Sequence, residues 1–206
     1  MDTLGKLFGS QARVKILRLF LLNPLDVYDV SMVSEKSKVS LAETRRELAL
    51  FKKVGLISDK SFFKEMPTKR GSKKPPTKKR TPGSQLHAEF PLLIPLKNLL
   101  ISETPLNKDE VAKRFKSVGK MKLLVLSGIF VDLPGACVDV LIVGDNLKKR
   151  AIESTLKSIE AEVGKELSYG MLETAEFLYR VSVYDKFVRD ILDFKHETII
   201  DKIGVE

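Results

Sequence analysis

The chain has 206 residues, 43% hydrophobic and 31% charged, which is enough apolar material for one large domain or two small ones. Its formal charge of +9 is unevenly spread: the first 105 residues carry 20 Lys and Arg against 10 Asp and Glu, and the remainder 16 against 17, so an anionic partner is expected on the first half only, nucleic acid ahead of a membrane surface. The single cysteine, Cys137, excludes an intrachain disulfide and a thiolate zinc cluster, and Asp132, Pro134 and Asp139 interrupt the most apolar stretch, Leu123–Val143, which argues against a membrane span.

In chain order, Ser10 is placed to cap a helix whose apolar stripe is Val14, Ile16, Leu17, Phe20 and Leu21. Asn23-Pro24 ends it. A short second helix is expected to start near Asp29 and bury Val30 and Val33, followed by a turn at Ser37-Lys38-Val39. Ser40-Leu41-Ala42-Glu43 then has the form of a capping box. The helix it opens carries Leu41, Thr44, Leu48 and Phe51 on one face and holds Arg45, Arg46 and Lys52 away from it. Gly55 suits the left-handed stop. Leu56–Phe63 reads as a strand, and Leu86, Ala88 and Phe90 alternate with polar residues as its return.

Between these strands lies a run of cations without an acid: Lys69, Arg70, Lys73, Lys74, Lys78, Lys79 and Arg80. Gly71, Pro75, Pro76 and Pro82 predict an irregular loop over residues 68–82. Such a loop suits a phosphate backbone. A helix of the type opened at Ser40 docks in the major groove by its N-terminal end, which would turn Ser40, Ala42, Arg45 and Arg46 toward bases and phosphates of double-stranded DNA.

The run Ser10-Gln11-Ala12-Arg13-Val14-Lys15-Ile16-Leu17-Arg18-Leu19-Phe20, with Leu48, Phe51 and Gly55-Leu56-Ile57 further on, resembles the winged helix-turn-helix domains of small prokaryotic transcriptional regulators. The resemblance covers about residues 8–90 and implies a DNA-binding domain over 1–90 with a long basic wing. Residues 91–105 form an apolar linker in which Leu92, Leu96, Leu99 and Leu100 share a helical face. That face is either packed between the two halves or a homodimer contact through 91–101.

The second domain, 106–206, begins with a charged helix over Asn107–Ser117 that buries Val111, Ala112 and Phe115. Lys122–Leu126 and Val138–Val143 read as strands buried on both faces, joined by a turn-rich connection from Ser127 to Ala136. A helix over Asn146–Val163, a strand over Leu167–Leu172, a short helix capped by Thr174, a helix over Tyr184–Leu192 and a last strand over Thr198–Ile203 complete it. Cys137 reads as a small core residue, and His87 and His196 as ordinary histidines without metal-ligand spacing. The expected fold class is α+β: a winged helix-turn-helix domain followed by a small mixed-sheet domain.

This second half resembles the minimal nucleotidyltransferase fold, whose pattern is a strand, a Gly-Ser turn and a strand bearing two acids one residue apart. Ser127-Gly128 reverses the turn, Asp139 stands for one acid, Cys137 occupies the place of the other, and Asp145 lies past the strand. A thiol is a poor magnesium ligand. The resemblance therefore implies a vestigial nucleotide site at Ser127, Gly128 and Asp139 without catalysis, metal or cofactor. The function expected is that of a cytoplasmic DNA-binding transcriptional regulator. The alternatives are an active nucleotidyltransferase acting on protein or RNA, and a protein–protein adaptor that binds nucleic acid nonspecifically.

Overall fold

The computed structural model describes residues 3–66, 77–101 and 108–205 of the chain. It is a mixed α+β structure that divides into two compact units. The first takes in the described residues up to 101 together with Ala161–Lys165; the second takes in the remainder from 108 onward.

The first unit starts with a short helix, α1 (Thr3–Leu7), that the apolar spacing does not announce. Helix α2 (Gln11–Leu22) follows, and Ser10 Oγ accepts from Arg13 N at 3.1 Å as its cap. Its stripe is buried as expected: Val14, Ile16, Leu17, Phe20 and Leu21 all enter the core. Helix α3 (Val30–Ser37) is capped by Asp29, whose carboxylate accepts from Met32 N at 2.8 Å. Lys38 takes a left-handed conformation to end it. Helix α4 (Leu41–Lys53) follows Ser40 and stops at Gly55, whose φ of +78° a side chain would resist.

Two features of α4 depart from its sequence pattern. The box at Ser40 is half formed: the hydroxyl accepts from Glu43 N at 3.3 Å and donates to Glu43 Oε2 at 2.7 Å, so the carboxylate meets the hydroxyl rather than a backbone N–H. Leu41 is exposed, and Glu47 joins Thr44, Leu48 and Phe51 on the buried face. Glu47 is only 2% exposed. Its carboxylate accepts from Arg13 Nε of α2 at 2.8 Å, which makes that burial tolerable.

Strands β1 (Ile57–Met66) and β2 (Thr77–Leu86) pair antiparallel through ten residues each. The return strand therefore starts well before Leu86, at Thr77, and Ala88 and Phe90 lie beyond it. Lys78, Lys79, Arg80 and Pro82 belong to a strand, not to a loop. Pro82 is tolerated for a specific reason. The N–H and C=O of Ser84 both engage Tyr28, at 2.8 and 3.0 Å, and so point away from β1. Pro82, two residues earlier, turns its nitrogen the same way, and its missing N–H costs the hairpin no bond. Gly83 is required by the same crossing, because a Cβ there would stand 2.9 Å from the Tyr28 carbonyl oxygen and 2.9 Å from the Val27 side chain.

Helix α5 (Leu93–Ile101) packs on this core through Leu93, Leu96 and Leu100. Leu92 and Leu99 are exposed, so the predicted shared face of Leu92, Leu96, Leu99 and Leu100 is corrected by rotation of the helix about its axis.

The second unit holds α6 (Lys108–Arg114) and a four-stranded sheet of order β5-β4-β3-β6. Its strands are β3 (Lys120–Leu126), β4 (Val140–Asp145), β5 (Tyr169–Leu172) and β6 (Glu197–Asp201). Strand β3 runs antiparallel to both β4 and β6, and β4 parallel to β5. Leu123, Val125, Leu141 and Val143 meet Phe177 of α8 (Thr174–Ser182) and Val188 and Ile191 of α9 (Lys186–Leu192). The alternate residues Leu124, Val140 and Ile142 are equally buried, so both sheet faces are covered, as the unbroken apolar runs predict. Helix α7 (Lys149–Val163) buries Ile152, Leu156 and Ile159. Thr174 is the first residue of α8 rather than its cap; Glu173 holds that place, without a side-chain bond.

The Arg13–Glu47 pair gives a direct stability prediction. Glu47→Gln keeps the shape but removes the charge facing Arg13, and about 1–2 kcal/mol should be lost in urea unfolding. Arg13 is about a third exposed, which keeps the figure below that of a fully buried pair.

Candidate nucleic-acid interface

Helix α4 turns one face to the core and leaves Ser40, Ala42, Arg45 and Arg46 exposed on the other. All four lie in its first two turns, where the helix start also presents backbone N–H groups. Among the described residues, neither Arg45 nor Arg46 meets an acid. Near the end of the helix Lys52 pairs with Asp59 of β1 at 2.5 Å, which ties α4 to the base of the hairpin.

The hairpin carries the other half of the basic surface. Lys78, Lys79 and Arg80 are exposed on β2. Lys78 stands opposite Glu65 with 3.9 Å between the charges, too far and too exposed to hold it firmly. Arg80 Nε donates to Ser61 Oγ at 2.9 Å. Lys69, Arg70, Lys73 and Lys74 lie outside the described residues.

A second tie fixes the hairpin to the start of α3. Lys64 Nζ reaches Asp29 Oδ2 at 2.6 Å, and Ser31 Oγ donates to Asp29 Oδ1 at 2.5 Å. Burial alone would raise the Asp29 carboxyl. The hydrogen bonds from Lys64, Ser31 and Met32 N–H outweigh it and hold the group below its ordinary value. Sequence reasoning found Asp29 as a helix start but missed its partner, since Lys64 is 35 residues away.

The second candidate group comes together in space. Ser127 is buried and its N–H donates to the Asp139 carbonyl at 2.9 Å. The Asp139 carboxylate accepts from Ile129 N at 3.0 Å, Ser168 N at 2.9 Å and Ser168 Oγ at 2.8 Å. Gly128 has φ +54°, and any Cβ there would collide with Asp139 Oδ1. Asp139 is thus a staple between two loops, set just before β4 rather than on it. Cys137 also precedes the strand and is exposed, which corrects its assignment to a buried strand. The two positions therefore do not share a strand face.

His87 Nδ1 lies 3.1 Å from the Gly55 carbonyl oxygen and His196 Nδ1 lies 2.8 Å from that of Phe194. Among the described residues no group of three or more His, Cys, Asp or Glu could hold a metal ion, and no helix is long and apolar enough to cross a membrane. No protein-family model matches the chain, and neither a curated protein nor a solved structure matches it.

The two carboxylates, Asp29 and Asp139, can each be tested by substitution. The folded-state value of Asp29 is lowered, so its ionised form favours folding. That contribution is complete above an unfolded carboxyl value of about 3.9 and is lost as the pH falls through the lower folded value. Thermal melts across pH should show wild type more stable than Asp29→Asn at pH 6, with the gap closing only below the ordinary carboxyl range. In the second unit, Asp139→Ala removes three accepted bonds and should cost about 2–3 kcal/mol by denaturant titration.

Proposed function

We propose that the chain is a DNA-binding transcriptional regulator. Its first unit is read as a winged helix-turn-helix domain: α2, the short strand at Tyr28, α3, α4, then the hairpin β1–β2 in the position of the wing. The observation that carries this reading is the exposed N-terminal half of α4, with Arg45 and Arg46 unopposed by acids among the described residues and a basic hairpin in the same unit. In this arrangement α4 enters the major groove, Arg45 or Arg46 reads a guanine edge, and the hairpin cations follow phosphates. The charge excess of the first half supports an anionic partner there.

The second unit is read as a catalytically silent relative of the minimal nucleotidyltransferase fold. The engaged carboxylate of Asp139 supports silence, since its oxygens already accept three donors. Magnesium chemistry needs free carboxylates converging on the ion. In this reading the unit has no transferase activity, and it serves the regulator as a sensor or assembly module.

Sequencing the DNA that the full chain selects from a random duplex pool tests the regulator reading. An enriched motif is expected, and its absence would sink the reading. On the enriched site Arg45→Ala or Arg46→Ala should cost about 1–3 kcal/mol, with much less lost on random duplex. Replacing Lys69, Arg70, Lys73, Lys74, Lys78 and Lys79 by Gln, which keeps the backbone of β2, should instead weaken both equally and flatten the salt dependence, by about 0.9 in log–log slope for each phosphate no longer neutralised. Incubation with labelled nucleotide and magnesium should give no incorporation into the protein, RNA or a partner.

A further inference from the structure

Phe62 and Phe63 are adjacent on β1 and so point to opposite faces of the hairpin. Phe62 is half-buried and lies close to the Tyr28 crossing; a Cβ at Gly83 would stand 3.1 Å from its ring. Phe63 is 70% exposed. Directly opposite it stands Arg80. This pair has the same parity as Asp59–Ser84, whose backbone groups on β2 face away from β1, so Phe63 and Arg80 occupy a non-hydrogen-bonded pair, where side chains come closest. Ser61 on the same face accepts from Arg80 Nε at 2.9 Å, which holds the guanidinium on the face that carries the exposed ring. Lys78 is next along that face.

An anchored planar cation, an uncovered aromatic ring and a neighbouring lysine suit a flat aromatic ligand on an anionic backbone. A nucleobase meets that description only when its face is free. In uninterrupted duplex the bases stack on one another and offer edges alone, which a phenyl ring cannot read by hydrogen bonding. An unpaired base offers the face, and stacking on an aromatic side chain with an arginine alongside is how single strands are held.

Building on the DNA-binding reading, we propose that Phe63 and Arg80 form a stacking platform for an unpaired base, and that the preferred partner is duplex DNA with a single-stranded segment beside the site of α4. Lys78 then meets the phosphate next to the stacked base. The platform adds affinity for the unpaired segment, while Arg45 and Arg46 serve the duplex.

The test uses the full chain and three labelled DNAs: a blunt duplex, the same duplex with a short single-stranded tail, and one whose tail is abasic sugar-phosphate. Wild type should bind the base-bearing tail about ten-fold tighter than either of the others. Phe63→Ala should abolish this preference and leave blunt-duplex affinity and melting temperature unchanged, as expected for an exposed side chain. Phe63→Trp should retain the preference. The chain has no tryptophan, so emission from Trp at that position reports on it alone, and only the base-bearing tail should quench it. Equal affinity for base-bearing and abasic tails, a preference that survives Phe63→Ala, or unmoved Trp emission would each overturn the platform. Binding to blunt duplex without any tail preference would leave the regulator reading standing, whereas failure to bind any of the three would remove both.

Discussion

Two hydrogen bonds between Tyr28 and Ser84 set the arrangement of the first unit. They add a one-residue third strand to the hairpin and so fix where the segment between α2 and α3 crosses it. The Tyr28 ring packs edge-on against Phe20 of α2 at 5.7 Å, so the crossing is tied to the helical core as well. Asp29 follows at once, caps α3 and receives Lys64 from β1. The direction of the hairpin with its two ten-residue strands, the start of α3 and, through the turn at Lys38, the exposed face of α4 all depend on this one crossing. Gly83 is its steric condition: any larger residue would push the Tyr28 carbonyl away.

The helices were readable because their signals are local. Ser10, Asp29, Ser40 and Gly55 act within one turn of where they stand, and the stripe of α2 repeats at the helical period. What could not be read depends on distant partners. Glu47 breaks the apolar face of α4, and only Arg13, 34 residues earlier, offsets its burial. Tyr28 is a strand of one residue and has no period to detect. Leu41 has the right spacing for the core but is the first residue of its helix and stays exposed. Of the proposed site, Arg45 and Arg46 were visible from the helix face; the Phe63–Arg80 pair was not, because it exists only in the register of the hairpin.

The proline rule failed at Pro82 for an instructive reason. It holds for strands paired on both sides, where every N–H is needed. On β2 the outward-facing groups are claimed only at Ser84, and Pro82 lies past that point. The consequence is physical as well as topological. Cations in a loop are spread over many conformations, whereas a strand sets Lys78 and Arg80 on one face and Lys79 on the other. Less ordering entropy then has to be supplied when an anionic strand is bound.

In the second unit the apolar run Val138–Val143 places β4 two residues too early: the strand is Val140–Asp145, so Asp145, expected past its end, is its last residue. Val138–Val143 is apolar enough to be a strand throughout, yet the ladder begins at Val140, and Asp139 just before it commits its carboxylate to Ile129 and Ser168. The same fact bears on chemistry. An ionised carboxylate has about four acceptor directions. Asp139 has filled three, and the loops they hold include Gly128, which admits no side chain beside Oδ1. Freeing that carboxylate for a cation would mean releasing both loops, so stapling and metal binding compete for the same oxygens. That competition, rather than the missing second acid alone, is the stronger physical support for the silence proposed for this unit.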